Sequence, residues 1–275
     1  MAFVDKGLAR RLEAAEEIPQ VRYAKLYQKQ RPEIGAAVEP ICGGHMIFAG
    51  VGSPIGRTVG MGFDGSAAAK DLDRMEEFYR SRGAPSQIDV CPFSDPPLLE
   101  LLKQRRYAVT ELNNVLCRRL NGKYEAAVPP GAVIRAGQTD ESEKLAQLVV
   151  RGFFPEGNAP PDFAALIAPM YGFDGALPFV AEINGEIAAC ACGLVIPEYG
   201  IVAFFGAATL PEHRKRGLQT ALHHARLKAA TNAGCEYAVV VTQAGTTSER
   251  NAECVGFQVA YSKATLLRPV ETTNA

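Results

Sequence analysis

The sequence lacks tryptophan, long apolar segments and any marked excess of one charge. Its 275 residues carry 29 lysines and arginines against 30 aspartates and glutamates, a formal net charge of −1. Because no strong field of one sign surrounds the chain, its charge does not favour nucleic acid or an anionic membrane as partner. No apolar run approaches the ~18–20 residues that a membrane helix needs, and the charged N-terminal segment has no signal-peptide pattern. We therefore expect a cytoplasmic protein.

The cysteines also exclude a class of site. Seven are scattered through the chain, and no Cys-x-x-Cys pair has a matching histidine pair, so no zinc site is predicted. Cys190 and Cys192 lie in an apolar run and share side-chain parity, which places both thiols on one face of a strand. A nucleophilic thiol needs a base, and none is apparent nearby. We expect buried, structural thiols and no metal.

Strand and helix patterns alternate in two series, separated by the Asn-Gly and Pro-Pro-Gly segment at residues 121–132. Both series end alike, as "LKQRRYAVTELNNVLCRRL" and "ECVGFQVAYSKATLLRP" illustrate, which indicates an internal repeat. Length and linker together predict two α/β domains, at residues 1–122 and 131–270.

Local signals predict several element boundaries. Pro19 should restart a helical pattern, and Ser94 or Asp95 should cap a helix over residues 95–105. Thr139 is the expected N-cap of the helix over residues 139–152. Asn184-Gly185 predicts a hairpin, and residues 217–233 a long helix that Gly234 ends.

The strongest functional signal is the loop that precedes this long helix. The apolar strand "IVAFFGAAT" is followed by Pro211 and then by three consecutive basic residues, Arg214, Lys215 and Arg216. A helix N-terminus offers unpaired N–H groups and a positive dipole end, and Gly217 lets phosphate oxygens approach the backbone. The segment therefore predicts a diphosphate site. Backbone groups at residues 207–209 are expected to pair with an extended, amide-containing ligand.

This segment resembles the coenzyme A loop of the GCN5-related N-acetyltransferase (GNAT) family, whose signature is Arg/Gln-x-x-Gly-x-Gly/Ala. Here the loop reads Arg214-Lys215-Arg216-Gly217-Leu218-Gln219. Arg214 and Gly217 match the signature. Gln219 departs from it, so its side chain is expected to point away from the diphosphate or to bond to it. The downstream "SERNAECVGF" also looks like the last helix and Gly-Phe strand of that family.

The resemblance implies two GNAT-like domains, each a mixed, mostly antiparallel sheet flanked by helices. It also implies acetyl-coenzyme A as co-substrate, bound in the C-terminal domain, and acetyl transfer to an amine of a small molecule or peptide. The N-terminal half lacks the basic loop and is interpreted as a degenerate copy. The implied cofactor-binding residues are Ala207, Ala208, Thr209, Arg214, Lys215, Arg216, Gly217, Leu218, Gln219, Thr220 and Asn251, with Ser248 and Arg250 beside the last.

The catalytic residues stay unassigned. The family often places a tyrosine, as acid toward the thiolate, where this chain has Ala252. The remaining candidates are Glu198 as a base and Tyr261 as a proton donor, whereas His223 and His224 are expected to pack or face solvent.

The alternative is a non-catalytic acyl-coenzyme A sensor. A nucleotide-binding regulator is disfavoured, because no Gly-Lys-Ser/Thr follows the loop. The acceptor and the oligomeric state are not predicted.

Overall fold

The computed structural model describes residues 4–125 and 128–269, and the chain divides into two compact units. Unit 1 comprises Met1–Val115 and Val259–Ala275, and unit 2 comprises Leu116–Gln258. The last strand therefore counts with the first unit, which the sequence-based boundaries do not anticipate. Residues 126 and 127 of the predicted linker, and residues 1 and 270 at the predicted domain ends, lie outside the described residues.

Unit 1 alternates helices and strands. Its elements are α1 (Lys6–Gln30), β1 (Ala37–Ile41), β2 (Gly44–Phe48), β3 (Thr58–Val59), α2 (Ala69–Arg80), β4 (Ser86–Val90), α3 (Pro96–Gln104) and the first residues of β5 (Ala108–Arg119), with a 3-10 turn at Pro32–Ile34.

The local predictions in unit 1 hold in part. α1 is one helix that continues through Pro19, so the predicted restart is wrong, and the buried residues on both sides of the proline offset its missing N–H. Asp95 stands before α3, but its carboxylate does not cap that helix; it accepts from Ser66 Oγ (2.6 Å) and Ala67 N (3.3 Å) instead.

Unit 2 contains the end of β5, then β6 (Ala132–Ala136), α4 (Ser142–Phe153), α5 (Phe163–Ile167), β7 (Phe179–Ile183), β8 (Glu186–Ile196), β9 (Ile201–Thr209), α6 (Leu218–Asn232), β10 (Tyr237–Gln243) and α7 (Thr247–Cys254). Short 3-10 turns occupy Thr139–Glu141, Ala168–Tyr171, Pro197–Tyr199 and Pro211–His213. The final strand, β11 (Gln258–Arg268), belongs to unit 1 from its second residue onward.

Each unit holds a mixed, mostly antiparallel sheet flanked by helices, so the predicted fold class is confirmed. The strand order is β1-β2-β3-β4-β11 in unit 1 and β10-β9-β8-β7-β6 in unit 2. One pair in each order is parallel, β3–β4 and β9–β10, and in both cases a helix connects the two strands. The two units therefore share a strand–helix–parallel strand crossover, α2 in one and α6 in the other.

The boundaries around α6 agree closely with the sequence. Asn184 and Gly185 both have positive φ, 53° and 81°, as the predicted two-residue hairpin turn requires. Gly217 and Gly234 bound α6 at either end. The predicted cap at Thr139 is wrong, because a 3-10 turn begins there. The Glu141 carboxylate instead accepts from Gln138 N (2.9 Å) and pairs with Arg135, which lowers its pKa to about 2.

Candidate functional site

The site begins at the point where β9 stops pairing with β10. β10 pairs with β9 only as far as Phe204, so the last residues of β9 have no described β10 partner. On the other side, the register between β8 and β9 shifts: Cys190 faces Ala208 and Cys192 faces Phe205, so two residues of β9 oppose the single Ala191. This bulge bends the strand at Gly206, whose φ is +59°. The Tyr171 hydroxyl donates to Gly206 O over 2.8 Å and holds the bulge.

The loop from β9 to α6 follows directly. After the turn at Pro211–His213 the backbone reaches positive φ twice, at Lys215 (61°) and Gly217 (76°). Positive φ costs a β-carbon-bearing residue energy, which explains the glycine at the second position. α6 then starts without a side-chain cap and without an acidic residue in its first turn. Its positive end is thus left for a ligand.

These elements enclose a cleft of about 590 Å³ within unit 2. Every residue that the sequence analysis assigns to the cofactor lies in its lining, from Ala207 on β9 to Asn251 on α7. Ser248 and Arg250 contribute to the α7 wall as expected. The lining residues that the sequence analysis does not assign to the cofactor are Gly152, Phe153, His213, His223 and Thr247.

Arg214 has a role that its charge alone does not suggest. Its guanidinium donates to Gly152 O (2.6 Å) at the end of α4 and to Thr209 O (3.3 Å) at the end of β9. A β-carbon on Gly152 would stand 2.9 Å from Ala208 Cβ, so glycine is what lets α4 approach β9 this closely. Arg214 therefore connects the loop to two elements, although it is exposed like Lys215 and Arg216.

Gln219, the departure from the family signature, turns toward β9. Its Nε2 donates to Ala208 O (2.9 Å), to Thr209 Oγ1 (3.0 Å) and, at 3.3 Å, to Cys190 O. The sequence allowed two orientations, away from a diphosphate or bonded to it, and these contacts to the protein correspond to the first. The side chain thereby fixes the strand end, while its backbone stays in the first turn of α6.

The cleft is electropositive. Its lining includes Arg214, Lys215, Arg216 and Arg250, and no aspartate or glutamate is among the described residues that form it. Clusters of three or more potential metal-ligating side chains were not found in the described residues. The arrangement thus suits an anion at the α6 end, with an extended chain along β9.

A buried polar pair lies at the base of the cleft. Arg226 on α6 is fully buried; it donates to Cys192 O (2.9 Å) and Leu222 O (3.3 Å), and its guanidinium lies over Phe204 at 4.2 Å. Burial lowers its pKa to about 10. Arg226 Nη2 also lies 3.3 Å from His223 Nδ1.

His223 is consequently held neutral. Burial, and then the charge of Arg226, hold its pKa well below the usual value. Because arginine can only donate, Nδ1 is the acceptor and Nε2 carries the ring proton. The expected packing role is therefore incomplete, since the ring also lines the cleft. His224 is only half-buried, and the charge of Arg118 adds to burial in lowering its pKa.

The other candidates lie elsewhere. Tyr261 belongs to unit 1, where its hydroxyl donates to Glu13 Oε1 (2.7 Å). Glu198 lies in the exposed turn before β9, at the strand end opposite Thr209. Cys190 and Cys192 are buried on one face of β8, and burial raises both thiol pKa values to about 12. Neither thiol is thus a nucleophile at neutral pH.

One family model matches part of the chain, and several solved structures have a similar fold. Residues 143–257 match the model of the acetyltransferase (GNAT) family. The fold is similar to a GCN5-related N-acetyltransferase from Kribbella flavida, with a TM-score of 0.66 and 14% identity over 90% of this chain and 95% of that one.

Two further solved structures have the same fold. A tandem GNAT protein from the clavulanic acid biosynthesis pathway gives a TM-score of 0.61 at 14% identity, over 83% of this chain and 79% of that one. A GCN5-related N-acetyltransferase from Sphaerobacter thermophilus gives 0.57 at 17%, over 72% and 66%. No curated protein matches the sequence. Among the described residues, no helix is both long and apolar enough to span a membrane.

Proposed function

We propose that this protein binds acetyl-coenzyme A in the unit 2 cleft and transfers the acetyl group to an amine, because residues 143–257 belong to the GNAT acetyltransferase family. One observation carries the proposal: the uncapped start of α6, the basic loop and the part of β9 beyond its pairing with β10 line a single cleft. The diphosphate would lie against residues 216–220, and the pantetheine amides would pair along residues 207–209.

The reaction needs little from side chains. The neutral amine attacks the thioester carbonyl carbon, the C–S bond breaks, and the sulfur leaves as a thiolate that takes up a proton originating from the amine. Positioning against β9 and backbone N–H donors near the carbonyl oxygen supply most of the acceleration in such a site. An amine with a pKa near ~10.4 is mostly protonated at neutral pH, so its proton must leave through water.

His223 is the cleft side chain best suited to assist the sulfur. Its Nδ1 is directed at Arg226, which leaves Nε2–H as a donor, and the ring belongs to the cleft lining. A neutral donor hydrogen-bonds a developing thiolate where the family's usual tyrosine is replaced by Ala252.

Calorimetry with acetyl-coenzyme A, followed by thiol release with a panel of amines, tests the proposal. Binding and amine-dependent thiol release support it, and the absence of binding overturns it. The alternative, a non-catalytic acyl-coenzyme A sensor, is favoured by Ala252 and by the lack of a carboxylate among the described lining residues. Tight binding without turnover on any amine would select the sensor.

A further inference from the structure

A second, smaller cavity lies in unit 2 next to the cleft. It has a volume of about 150 Å³, and its walls are mainly aromatic and aliphatic: Phe153, Phe163, Ile167, Met170, Tyr171 and Phe205. We call it the apolar cavity. α4, α5, the 3-10 turn after α5 and the β9 bulge each contribute to it. An edge-on contact between Phe154 and Phe163, with ring centroids 5.3 Å apart, fixes the α5 wall.

The chemistry of the walls restricts the occupant. Of the described lining residues none is charged, and the Tyr171 hydroxyl already donates to Gly206 O. Burial of a polar group without a partner costs free energy, so an occupant with a charge or unpaired donors is disfavoured. The apolar cavity therefore suits an uncharged hydrocarbon group.

The position of the apolar cavity next to the cleft determines which bound molecule would carry the hydrocarbon group. Phe153 lines both spaces, and consecutive residues of β9 serve them: Phe205 and Gly206 the apolar cavity, and Ala207 onward the cleft. With the diphosphate at the start of α6 and pantetheine along β9, the thioester would reach the bulge at Gly206. A group in the apolar cavity would thus be bonded to one of the two reactants at that point.

Of the two reactants, the acceptor amine is the one that needs an apolar group for binding. No carboxylate is found among the described lining residues of either space, so an ammonium group has no charged partner there. Apolar burial is the source of acceptor affinity that these walls supply. A cavity of about 150 Å³ with Leu, Ile and Phe walls is known to hold benzene, which sets the size of the group.

We propose that the apolar cavity binds an aromatic or branched aliphatic group of the acceptor, so that the acceptors are arylalkyl- and alkylamines and not polyamines or amino sugars. This inference rests on the proposed function. It predicts that kcat/KM rises by about fourfold for each methylene buried, from ethylamine through isopentylamine to phenethylamine. Spermidine and glucosamine should remain poor acceptors.

Variants of α5 test the cavity directly. Ile167→Trp fills it and should lower kcat/KM for phenethylamine at least about tenfold, while ethylamine changes by less than about twofold. Ile167→Ala enlarges it and should move the preference toward naphthylmethylamine. Ala165 is exposed on the same helix and outside the lining, so Ala165→Trp is the matched control and should leave the amine profile unchanged.

Acetyl-coenzyme A affinity, measured on each variant, separates the possible failures. Absence of acetyl-coenzyme A binding in the wild type would overturn the proposed function itself. Binding and turnover with an amine profile that ignores both Ile167 variants would overturn the apolar-cavity proposal alone. If Ile167→Trp instead changes the preference between acetyl- and hexanoyl-coenzyme A and not among amines, the cavity holds the acyl chain and the proposal is wrong.

Discussion

The two crossover loops, from β9 to α6 and from β3 to α2, connect equivalent elements but end differently. In unit 2 the loop is exposed and basic, and α6 starts without a side-chain cap. In unit 1 carboxylates stand at the corresponding place. Asp71 accepts from Ala68 N at 2.9 Å, and Asp95 accepts from Ala67 N at 3.3 Å.

The difference explains how two crossovers with the same arrangement of elements can differ in their suitability for an anion. Asp71 and Asp95 already neutralise the positive end of α2, so a phosphate there would meet two negative charges. The first part of the loop is also closed by packing: residues 60–63 are buried, and a β-carbon on Gly44 would stand 2.0 Å from Val59 O. We infer that unit 1 is a copy that does not bind coenzyme A.

The two units also differ in the partners of their buried cationic side chains. In unit 1, Lys263 Nζ is fully buried and pairs with Glu13 Oε2 at 3.3 Å, with Asp89 at 3.8 Å. In unit 2, the described partners of buried Arg226 are carbonyl oxygens, His223 and an aromatic ring. Unit 1 thus cancels its charges internally, whereas unit 2 keeps positive charge beneath its cleft.

The largest effect is expected at the start of α6. Gly217→Val forces a branched residue into φ +76° and blocks the approach of phosphate, so acetyl-coenzyme A affinity should fall at least about a hundredfold by calorimetry. Gly234→Val is the matched control, because that glycine has φ +79° and open space at the other end of the same helix. Equal losses in both variants would show that strain, and not the anion site, is responsible.

The second experiment transfers the unit 1 cap to unit 2. Thr220 is the third residue of α6, as Asp71 is of α2. Thr220→Asp should therefore supply the carboxylate that unit 1 has and weaken acetyl-coenzyme A binding by about tenfold, with little change in thermal stability. Thr220→Asn keeps the shape without the charge and should bind nearly as the wild type does. An unchanged affinity in Thr220→Asp would contradict our account of the difference between the loops.

The reverse change in unit 1 should not create a site. Asp71→Asn removes a charge that favours the start of α2 and should lower the free energy of unfolding by about 0.5–1 kcal/mol, measured by urea denaturation. Because residues 60–63 of the loop stay buried, adding Asp95→Asn should give no second coenzyme A site. Binding of two coenzyme A molecules per chain by the double variant would mean that the two carboxylates alone had prevented binding in unit 1.

The smallest effect concerns pH. The pKa of His223 is lower in the folded protein than its ordinary value near 6.5, so the unfolded chain takes up the proton first as pH falls. The stability that the neutral ring contributes is complete above the ordinary pKa near 6.5 and declines as the pH falls below it. The free energy of unfolding should decline by about 0.7 kcal/mol between pH 7 and pH 6. Urea denaturation at both pH values should give a smaller decline in His223→Gln. An identical decline in both proteins would refute a buried neutral ring.

Local signals predicted much of this site. Gly217, Gly234 and Asn184-Gly185 determine chain reversals through their own φ, so the sequence located them. What it missed depends on contacts between distant residues. The apolar spacing of α6 favours Ala225 and Ala229 as sheet-facing residues, yet His223 and Arg226 are more buried than either. Backbone carbonyls of β8 and α6 bind the Arg226 guanidinium and so permit its burial. Likewise, nothing local indicates that Arg214 reaches Gly152, or that residues of α4 and α5 enclose an apolar cavity.

The membership of β11 in unit 1 has a consequence for synthesis. β4 pairs with β3 along one edge and with β11 along the other, and β11 follows the whole of unit 2 in the chain. Unit 2 is therefore translated in full while β4 still has an open edge, an interval on the order of ten seconds at ordinary elongation rates. An open strand edge invites pairing with other chains. The nascent chain should thus be most prone to aggregate while unit 2 is being translated, through the open edge of β4 in unit 1.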